Sequence, residues 1–208
     1  MLSPGRPLSV LSLAAHCDDA EIGAGGLLLS LSRRPSFDLT SCTLSGGASG
    51  RGAEARAAAR AISATAAVEV HDLPDGRFPA HWATAKDLLQ SLRARCTPDV
   101  ILAPHPGDAH QDHRLLAELV PQVWRNVLVL GYEIPKWDGD LSRPNAYLPL
   151  DPDLMAAKWR LLDDSYPSQR EKGWWDPEVV AGLARLRGIE CASRYAEAFH
   201  LGKAQLEI

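Results

Sequence analysis

Two short stretches of the sequence concentrate side chains that bind metals or transfer protons. The first, "AAHCDDAEIGAGG" at residues 14–26, places His16, Asp18, Asp19 and Glu21 within six positions after an apolar run. The second, "APHPGDAHQDHRLL" at residues 103–116, contains three histidines and two aspartates. Ionised carboxylates repel one another unless a cation or solvent lies among them. A metal ion, an arginine partner and exposure to solvent are therefore the candidate explanations for the first stretch.

The elements that must position these stretches follow from the alternation of short apolar runs with longer amphipathic segments. Apolar runs predict strands at residues 8–15, 37–44, 68–73, 99–104 and 126–134, and helical spacing predicts helices at 23–34, 51–66, 81–95 and 112–125. This alternation is typical of a doubly wound, mainly parallel sheet. We therefore predict a three-layer Rossmann-like α/β fold.

The predicted topology brings the two stretches together. In doubly wound sheets, ligands bind beyond the carboxyl ends of the strands, at the point where the strand order reverses. A strand order of 3-2-1-4-5 makes the first and fourth strands neighbours at that point. Because the two stretches follow those two strands, we expect them to face each other across one crevice.

Such a crevice has the side chains for metal-assisted hydrolysis. Two imidazoles and a carboxylate suit zinc, so His16, Asp19 and His113 are candidate ligands. Asp18 would then be free to act as a general base toward water. His110 lies one helical turn before His113 and could donate to the substrate or protonate it. An interaction of His110 with Asp112, two residues on, requires that this segment precede the regular helix.

Each of these residues also has a purely structural explanation. His16 alone would more often be a buried core residue, Asp18 or Asp19 alone a helix cap or a solvated charge, and His110 alone a surface histidine. Their joint occurrence after two neighbouring strands favours the metal site. A nicotinamide site is disfavoured, because the glycines of "GAGG" at 23–26 do not follow the strand directly, as the dinucleotide fingerprint requires.

Composition limits the remaining possibilities. The chain has 208 residues, a net charge of −4 and a pI near 6.0, which argue against nucleic-acid partners and polybasic membrane binding. Its four scattered cysteines, with no apolar span and no signal-peptide pattern, predict a cytoplasmic protein without a membrane span. We predict one domain over residues 1–208. Within it, 136–208 is a C-terminal elaboration with helices near 151–165 and 176–191, and this part forms a pocket wall or an interface.

The two stretches resemble the signatures of a known superfamily. "AHCDDAEIGAGG" is similar to AHPDD-x-E-x-G-x-GG, and "PHPGDAHQDH" matches PHPxDxHxDH at every fixed position. Both patterns belong to the LmbE-like or PIG-L-like zinc-dependent N-deacetylases, which act on N-acetylglucosaminyl lipids and N-acetylglucosamine–malate conjugates. The resemblance continues through "GRGAEARAAA", Ser168–Gln169 and "RYAEAF". It therefore covers nearly the whole chain.

The resemblance implies a role for each candidate residue. Zn²⁺ would be held by His16, Asp19 and His113, with Asp18 as general base, His110 stabilising the transition state, Asp112 orienting His110, and Arg56 in the substrate pocket. The implied reaction removes an acetyl group from an N-acetylated amino sugar or its conjugate. A metal-activated water attacks the carbonyl, and zinc and protonated His110 hold the oxyanion. Relatives commonly form homo-oligomers, so we expect one here.

Three positions depart from the family pattern, and those at Gly47 and Ala59 leave the substrate open. Cys17 stands where the family usually has proline, Gly47 where many relatives have glutamate, and Ala59 where an acidic residue is common. An amidase for a larger acyl group or a thiol conjugate, and a non-catalytic sugar-binding or zinc-binding relative, are the alternatives. The stretch "YEIPKWDGDLSRPNAY", with Trp137 and Tyr147, suits either a sugar site or an oligomer interface.

Overall fold

A seven-stranded sheet forms the centre of the molecule in the computed structural model, which describes residues 7–204. Its strands are β1 (Leu8–Ala14), β2 (Phe37–Thr43), β3 (Ala67–Val70), β4 (Val100–Pro104), β5 (Leu128–Tyr132), β6 (Ala146–Leu150) and β7 (Tyr195–Leu201). They lie in the order β3-β2-β1-β4-β5-β7-β6. The first five strands are parallel, and β7 is antiparallel to both β5 and β6. The predicted α/β fold with a mainly parallel sheet is confirmed.

Helices cover both faces of this sheet. They are α1 (Asp19–Ser32), α2 (Gly50–Ile62), α3 (Trp82–Arg95), α4 (Gln111–Val123), α5 (Pro152–Ser165) and α6 (Pro177–Glu190). Alternate residues of β1 point to opposite faces, so Val10 packs with residues of α1, α2 and α5, whereas Leu11 packs with residues of α3 and α4. Within residues 7–204, no helix combines the length and the apolar character needed to cross a bilayer.

The neighbouring position of β1 and β4 decides where the site forms. The two strands pair in parallel, with Val10 opposite Val100 and Ser12 opposite Leu102, as the predicted strand order requires. Their carboxyl ends therefore lie at the same edge of the sheet, and the loops that follow them start side by side. This is the arrangement expected at a switch point in strand order.

The C-terminal part of the chain adds two strands that the sequence did not predict. The helices expected near residues 151–165 and 176–191 are present as α5 and α6. Strand β6 contains Pro149, which removes a backbone donor, and β7 reads "YAEAFHL" without a clear alternation of polar and apolar residues. Both strands join the main sheet. The assignment of residues 1–208 to one domain stays a prediction.

The last strand holds the first helix in place. Helix α1 departs from helical geometry at Ala24, where φ is −138° and ψ is 17°. The part after this bend begins with free backbone N–H groups, and the Glu197 carboxylate of β7 accepts hydrogen bonds from those of Gly26 at 2.6 Å and Leu27 at 2.7 Å. The Lys158 ammonium group donates to the same carboxylate at 2.7 Å, and both side chains are buried.

We expect Glu197→Gln to destabilise the protein strongly. The amide leaves Lys158 without a counter-charge and cannot accept at both ends, so the free energy of unfolding should fall by about 3–5 kcal/mol, as for other broken buried ion pairs. Urea denaturation measures this change. Arg170→Gln is the matched control, because it breaks the exposed pair with Asp163 and should change stability little. Equal effects of the two substitutions would contradict the capping role.

Candidate metal and catalytic site

Three side-chain atoms from the two predicted loops converge at the carboxyl ends of β1 and β4. Nδ1 of His16 lies 3.1 Å from Nε2 of His113 and 3.4 Å from Oδ2 of Asp19. Nε2 of His113 lies 3.2 Å from the same Asp19 oxygen. Asp19 and His113 are buried, and His16 is nearly so. The structure therefore brings together the three residues that the sequence predicted as ligands.

The hydrogen bonds around these residues turn three lone pairs toward one point. Nδ1 of His113 is 2.9 Å from Oδ2 of Asp108, so in the neutral ring this nitrogen carries the proton and Nε2 does not. Nε2 of His16 is 3.0 Å from Oδ1 of Asp75 and 3.3 Å from Oδ2 of Asp112, so in the neutral ring Nε2 carries the proton and Nδ1 does not. A carboxylate oxygen is the third atom of the triangle. Neutral imidazoles thus leave no hydrogen atom between the three acceptors.

This donor set fits zinc. Zinc takes histidine nitrogen and carboxylate oxygen at about 2.0–2.2 Å in tetrahedral geometry, which separates neighbouring donor atoms by roughly 3.3–3.5 Å. The observed separations of 3.1, 3.2 and 3.4 Å are close to those edges. Carboxylates behind both imidazoles are also typical of metal-binding histidines. His16, Asp19 and His113 could therefore hold a zinc ion with one position left open.

The electrostatics of the metal-free residues also favour a cation. Burial alone would lower the pKa of His16, but Asp19 and hydrogen bonds to Asp112, Asp19 and Asp75 raise it to about 12. Burial is likewise outweighed at His113, whose pKa rises to about 9 beside Asp19 and Asp108. Without a metal, the carboxylates draw protons onto the imidazoles to gain positive charge. A divalent ion supplies that charge directly.

Asp18 lies beside this triangle and is paired with an arginine. Its Oδ1 is 2.7 Å from Nη2 of Arg51 in the first turn of α2. Burial raises the pKa of Asp18, and the Arg51 charge acts against that rise. The sequence analysis did not single out Arg51, because only the folded loop after β2 shows which arginine reaches the site. Nε of Arg51 is buried and has no hydrogen-bond partner among residues 7–204.

His110 faces the same point from the start of α4. Its donor nitrogen lies within 4.8 Å of those of His16 and His113. It is the N-cap of the helix, and its Nδ1 accepts the backbone N–H of Asp112 at 3.2 Å. His110 thus precedes the regular helix, whereas Asp112 lies in its first turn. Burial and the charges of His113 and His16 lower the pKa of His110, which opposes the protonated form that the resemblance implied.

The carboxylate of Asp112 contacts different partners from those expected. It accepts hydrogen bonds from the backbone N–H groups of Gly76 at 2.7 Å and Phe78 at 3.0 Å, and it faces Nε2 of His16. The expected hydrogen bond between the side chains of Asp112 and His110 is not observed. Instead, the backbone N–H of Asp112 donates to Nδ1 of His110. The physical reason is the turn at residues 74–77, because it directs the N–H groups of Gly76 and of Phe78, the next residue, toward the Asp112 side chain. Asp112 therefore orients His16 directly and acts on His110 through its charge.

Asp108 is one of the two aspartates of the second stretch, and its role could not be assigned from the sequence. It is fully buried, and its Oδ1 accepts the backbone N–H of His110 at 2.7 Å while its Oδ2 accepts from His113. Lys136 donates to the same Oδ2 at 2.9 Å and also pairs with Asp140 at 2.6 Å. Asp108 is a fixed position of the second signature, so the pattern contained the signal for it. One carboxylate thus positions both histidines of α4.

The three positions that depart from the family pattern have structural explanations that do not involve the three donor atoms, and the same is true of Arg56. Cys17 is buried, its thiol donates to the Ser45 carbonyl, and burial raises its pKa to about 11, so it packs as a neutral thiol. A Cβ at Gly47 would lie 2.7 Å from the Val70 carbonyl oxygen, which leaves no room for a side chain there. Ala59 is buried in α2. Arg56 donates to the Val68 carbonyl of β3 at 3.4 Å, and its contact with substrate stays a prediction.

Glu21 completes the first loop by anchoring it to the C-terminal part. The Tyr166 hydroxyl donates to Oε2 of Glu21 at 2.8 Å and to the Cys17 carbonyl. Burial raises the pKa of Glu21 to about 7. The acidic residues of the first stretch therefore have three different environments. Asp19 is a candidate ligand, Asp18 is a candidate base paired with Arg51, and Glu21 is a buried anchor. No single one of the three simple explanations accounts for all of them.

Comparison with known proteins gives the family and the fold of the chain. Residues 11–124 match the model of the PIG-L family, described as GlcNAc-PI de-N-acetylase. The N,N'-diacetylchitobiose deacetylase from Pyrococcus horikoshii is 23% identical with a TM-score of 0.73, over 93% of this chain and 83% of that one. Protein TT1542 from Thermus thermophilus is 21% identical with a TM-score of 0.78, over 97% of both chains. GalB from Pseudomonas putida, a 4-carboxy-2-hydroxymuconate hydratase, is 20% identical with a TM-score of 0.76, over 96% of this chain and 98% of that one. These structures share the fold.

We expect Asp108→Asn to lower the affinity for zinc by about 10–100-fold, the usual effect of losing a carboxylate behind a metal-binding histidine. All groups facing Asp108 are donors, so an amide must turn an N–H toward one of them. Competition with a chelating dye measures the affinity. Asp140→Asn is the control, since Asp140 pairs with Lys136 but offers no oxygen to His113. Unchanged affinity in Asp108→Asn would contradict the positioning role.

Proposed function

Because the chain belongs to the PIG-L family of de-N-acetylases, which hydrolyse amide bonds, we propose that it is a zinc-dependent deacetylase of N-acetylated amino sugars or their conjugates. The observation that carries this proposal is the triangle of three acceptor atoms separated by 3.1–3.4 Å. Asp18 and His110 flank that triangle with the side chains that amide hydrolysis needs. The metal dependence, the residue roles and the sugar substrate are parts of the proposal.

The proposed ligands of zinc are His16, Asp19 and His113. When bound, zinc would supply a Lewis acid that polarises the acyl carbonyl and lowers the pKa of water. The chain's own contribution is to hold the two imidazoles in the required tautomers through Asp108, Asp75 and Asp112. This prior orientation reduces the reorganisation needed during the reaction.

Asp18 is the proposed general base. Arg51 occupies its Oδ1, which leaves Oδ2 to take the proton from the attacking water. The arginine charge opposes the rise in the pKa of Asp18 that burial causes, and so favours the ionised form that a base requires. Once protonated, Asp18 can return the proton to the amine nitrogen as the C–N bond breaks. A single carboxylate then serves both halves of the hydrolysis.

His110 is the proposed donor to the oxyanion. Because its Nδ1 accepts the Asp112 N–H, the ring proton of the neutral form resides on Nε2. That N–H can donate to the developing negative charge without a second proton on the ring. The proposed donor is therefore the Nε2–H of neutral His110, in place of the protonated ring that the resemblance implied. Losing such a donor typically costs 10²–10³-fold in turnover.

The substrate assignment rests on chemistry around the site and on a named relative. The Pyrococcus horikoshii protein is by its name a deacetylase of an N-acetylated disaccharide. In this chain Trp137 is 82% exposed, as an aromatic face that stacks on a sugar ring must be. The hydroxyl of Tyr147 already donates to Glu190 or Pro144, so Trp137 is the better candidate. The homo-oligomer and the cytoplasmic location remain predictions.

Incubation of zinc-loaded protein with N-acetylglucosamine, diacetylchitobiose, a nucleotide-linked and a lipid-linked N-acetylglucosamine should release a primary amine from at least one of them. The amine is measured by fluorogenic labelling, and acetate is measured in parallel to identify the acyl group. Longer N-acyl analogues in the same panel test the amidase alternative. Cleavage of an ester or phosphodiester, with no amine from any amide, would show that the proposed bond is wrong.

Four alanine variants should separate ligands from catalytic groups. Asp19→Ala and His113→Ala remove proposed ligands, so zinc content and activity should fall together. Asp18→Ala and His110→Ala should retain zinc and lose about 10²–10⁴-fold in kcat/KM. Elemental analysis of the purified variants gives the metal content. If His110→Ala loses its zinc while His113→Ala keeps it, the two histidines have been assigned the wrong way round.

A further inference from the structure

A second cavity, with a volume of about 500 Å³, lies beside the start of the second loop. This volume is in the range of small-molecule sites, which span roughly 300–1,000 Å³. Val120 and Pro121 of α4, Val129 of β5 and Leu201 of β7 supply an apolar wall. The segment containing Arg143 forms part of the rim. The cavity therefore has an apolar wall on regular secondary structure and is open to solvent on its other side.

This cavity is separate from the proposed catalytic site. The described residues that line it include none of the proposed ligands, Asp18 or His110. The loop after β4 divides the two, since His105 lines the cavity whereas Asp108 contacts the histidines of the metal site. A molecule bound here would not occupy the position of the scissile amide.

The polar groups of the cavity are few, and one of them is an unpaired donor. His105 is 3% exposed, and its Nδ1 accepts the Gly107 backbone N–H at 3.1 Å, so Nε2 carries the proton. Among the described residues, no acceptor is paired with this Nε2–H. A ligand oxygen that reaches this Nε2–H would accept a hydrogen bond from it. His200 stacks on the His105 ring at 4.6 Å and holds it in place.

The charges around the cavity favour an anion. Arg143 is exposed at the rim and makes no ion pair within residues 7–204. The nearby carboxylates have cationic partners of their own, since Asp108 and Asp140 share Lys136, and Glu133 shares Arg187 with Glu190. None of these carboxylates lines the cavity. Arg143 is thus the uncompensated charge among the described lining residues.

We propose that this cavity binds a small apolar carboxylate, with its hydrocarbon body against Val120, Val129 and Leu201 and its carboxylate near Arg143 and the Nε2–H of His105. The apolar wall accounts for the body of the ligand, and the two donors account for its single anionic group. This site is distinct from the deacetylase site and does not depend on the proposed activity.

Isothermal titration of the zinc-loaded protein with naphthalene-2-carboxylate tests the proposal. We expect saturable 1:1 binding, and about tenfold weaker binding of the neutral 2-naphthamide, because a hydrogen bond to a charged group is lost. Arg143→Gln should weaken carboxylate binding by a similar factor. Pro121→Trp should abolish it, since an indole at this exposed lining position fills the mouth of the cavity.

Arg93→Gln is the matched control, because Arg93 is an exposed arginine on α3 outside the cavity, and its binding should equal that of the wild type. Thermal melting of each variant confirms that it is folded. Absence of saturable binding, equal binding of acid and amide, or unchanged binding in Pro121→Trp would overturn the proposal. Loss of binding in His113→Ala with full binding in Pro121→Trp would place the probe at the metal site and overturn it as well.

Discussion

The buried approach of three electron-pair donors is the interaction on which the rest of the site depends. Two imidazole nitrogens and a carboxylate oxygen lie 3.1–3.4 Å apart with no proton between them when the rings are neutral. Such an arrangement is repulsive unless positive charge lies at its centre. The parallel pairing of β1 with β4 imposes this proximity. The fold therefore holds three electron-pair donors in positions where a cation would be stabilised.

The surrounding carboxylates fix the orientation of the imidazole rings. Asp108 fixes the tautomer of His113 and also the backbone of His110, while Asp112 ties the 76–78 turn to His16. Each of these carboxylates is anchored by further donors, so the imidazoles cannot turn independently. The same bonds leave Asp18 outside the triangle, in contact with Arg51. Adjacent aspartates can thus have different environments and different chemistry.

The sequence predicted those parts of the molecule that depend on local pattern and on rules of topology. The order of the first five strands and the convergence of His16, Asp19, His110 and His113 followed from apolar runs, from the switch-point rule and from signature spacing. The partner of Asp112, the pairing of Arg51 with Asp18 and the strands β6 and β7 did not. They depend on how distant turns and strands pack, as with Gly76 donating to Asp112, and no short-range pattern encodes that. The helix predicted from Gly23 begins at Asp19 and is bent at Ala24. The part after the bend is capped by Glu197, a residue far along the chain, which no local pattern could indicate.

The Glu197 cap on α1 also has a consequence for the order in which the molecule assembles. A chain is made from its N-terminus, and β7 emerges after all the other elements of residues 7–204. All the proposed ligands are therefore synthesised long before the carboxylate that holds the helix beginning at Asp19. Until that strand inserts between β5 and β6, the nascent chain contains every donor atom without the rigid frame around them. The fixed arrangement of the proposed ligands thus requires β7, and a chain that ends before β7 retains the signature residues without that arrangement.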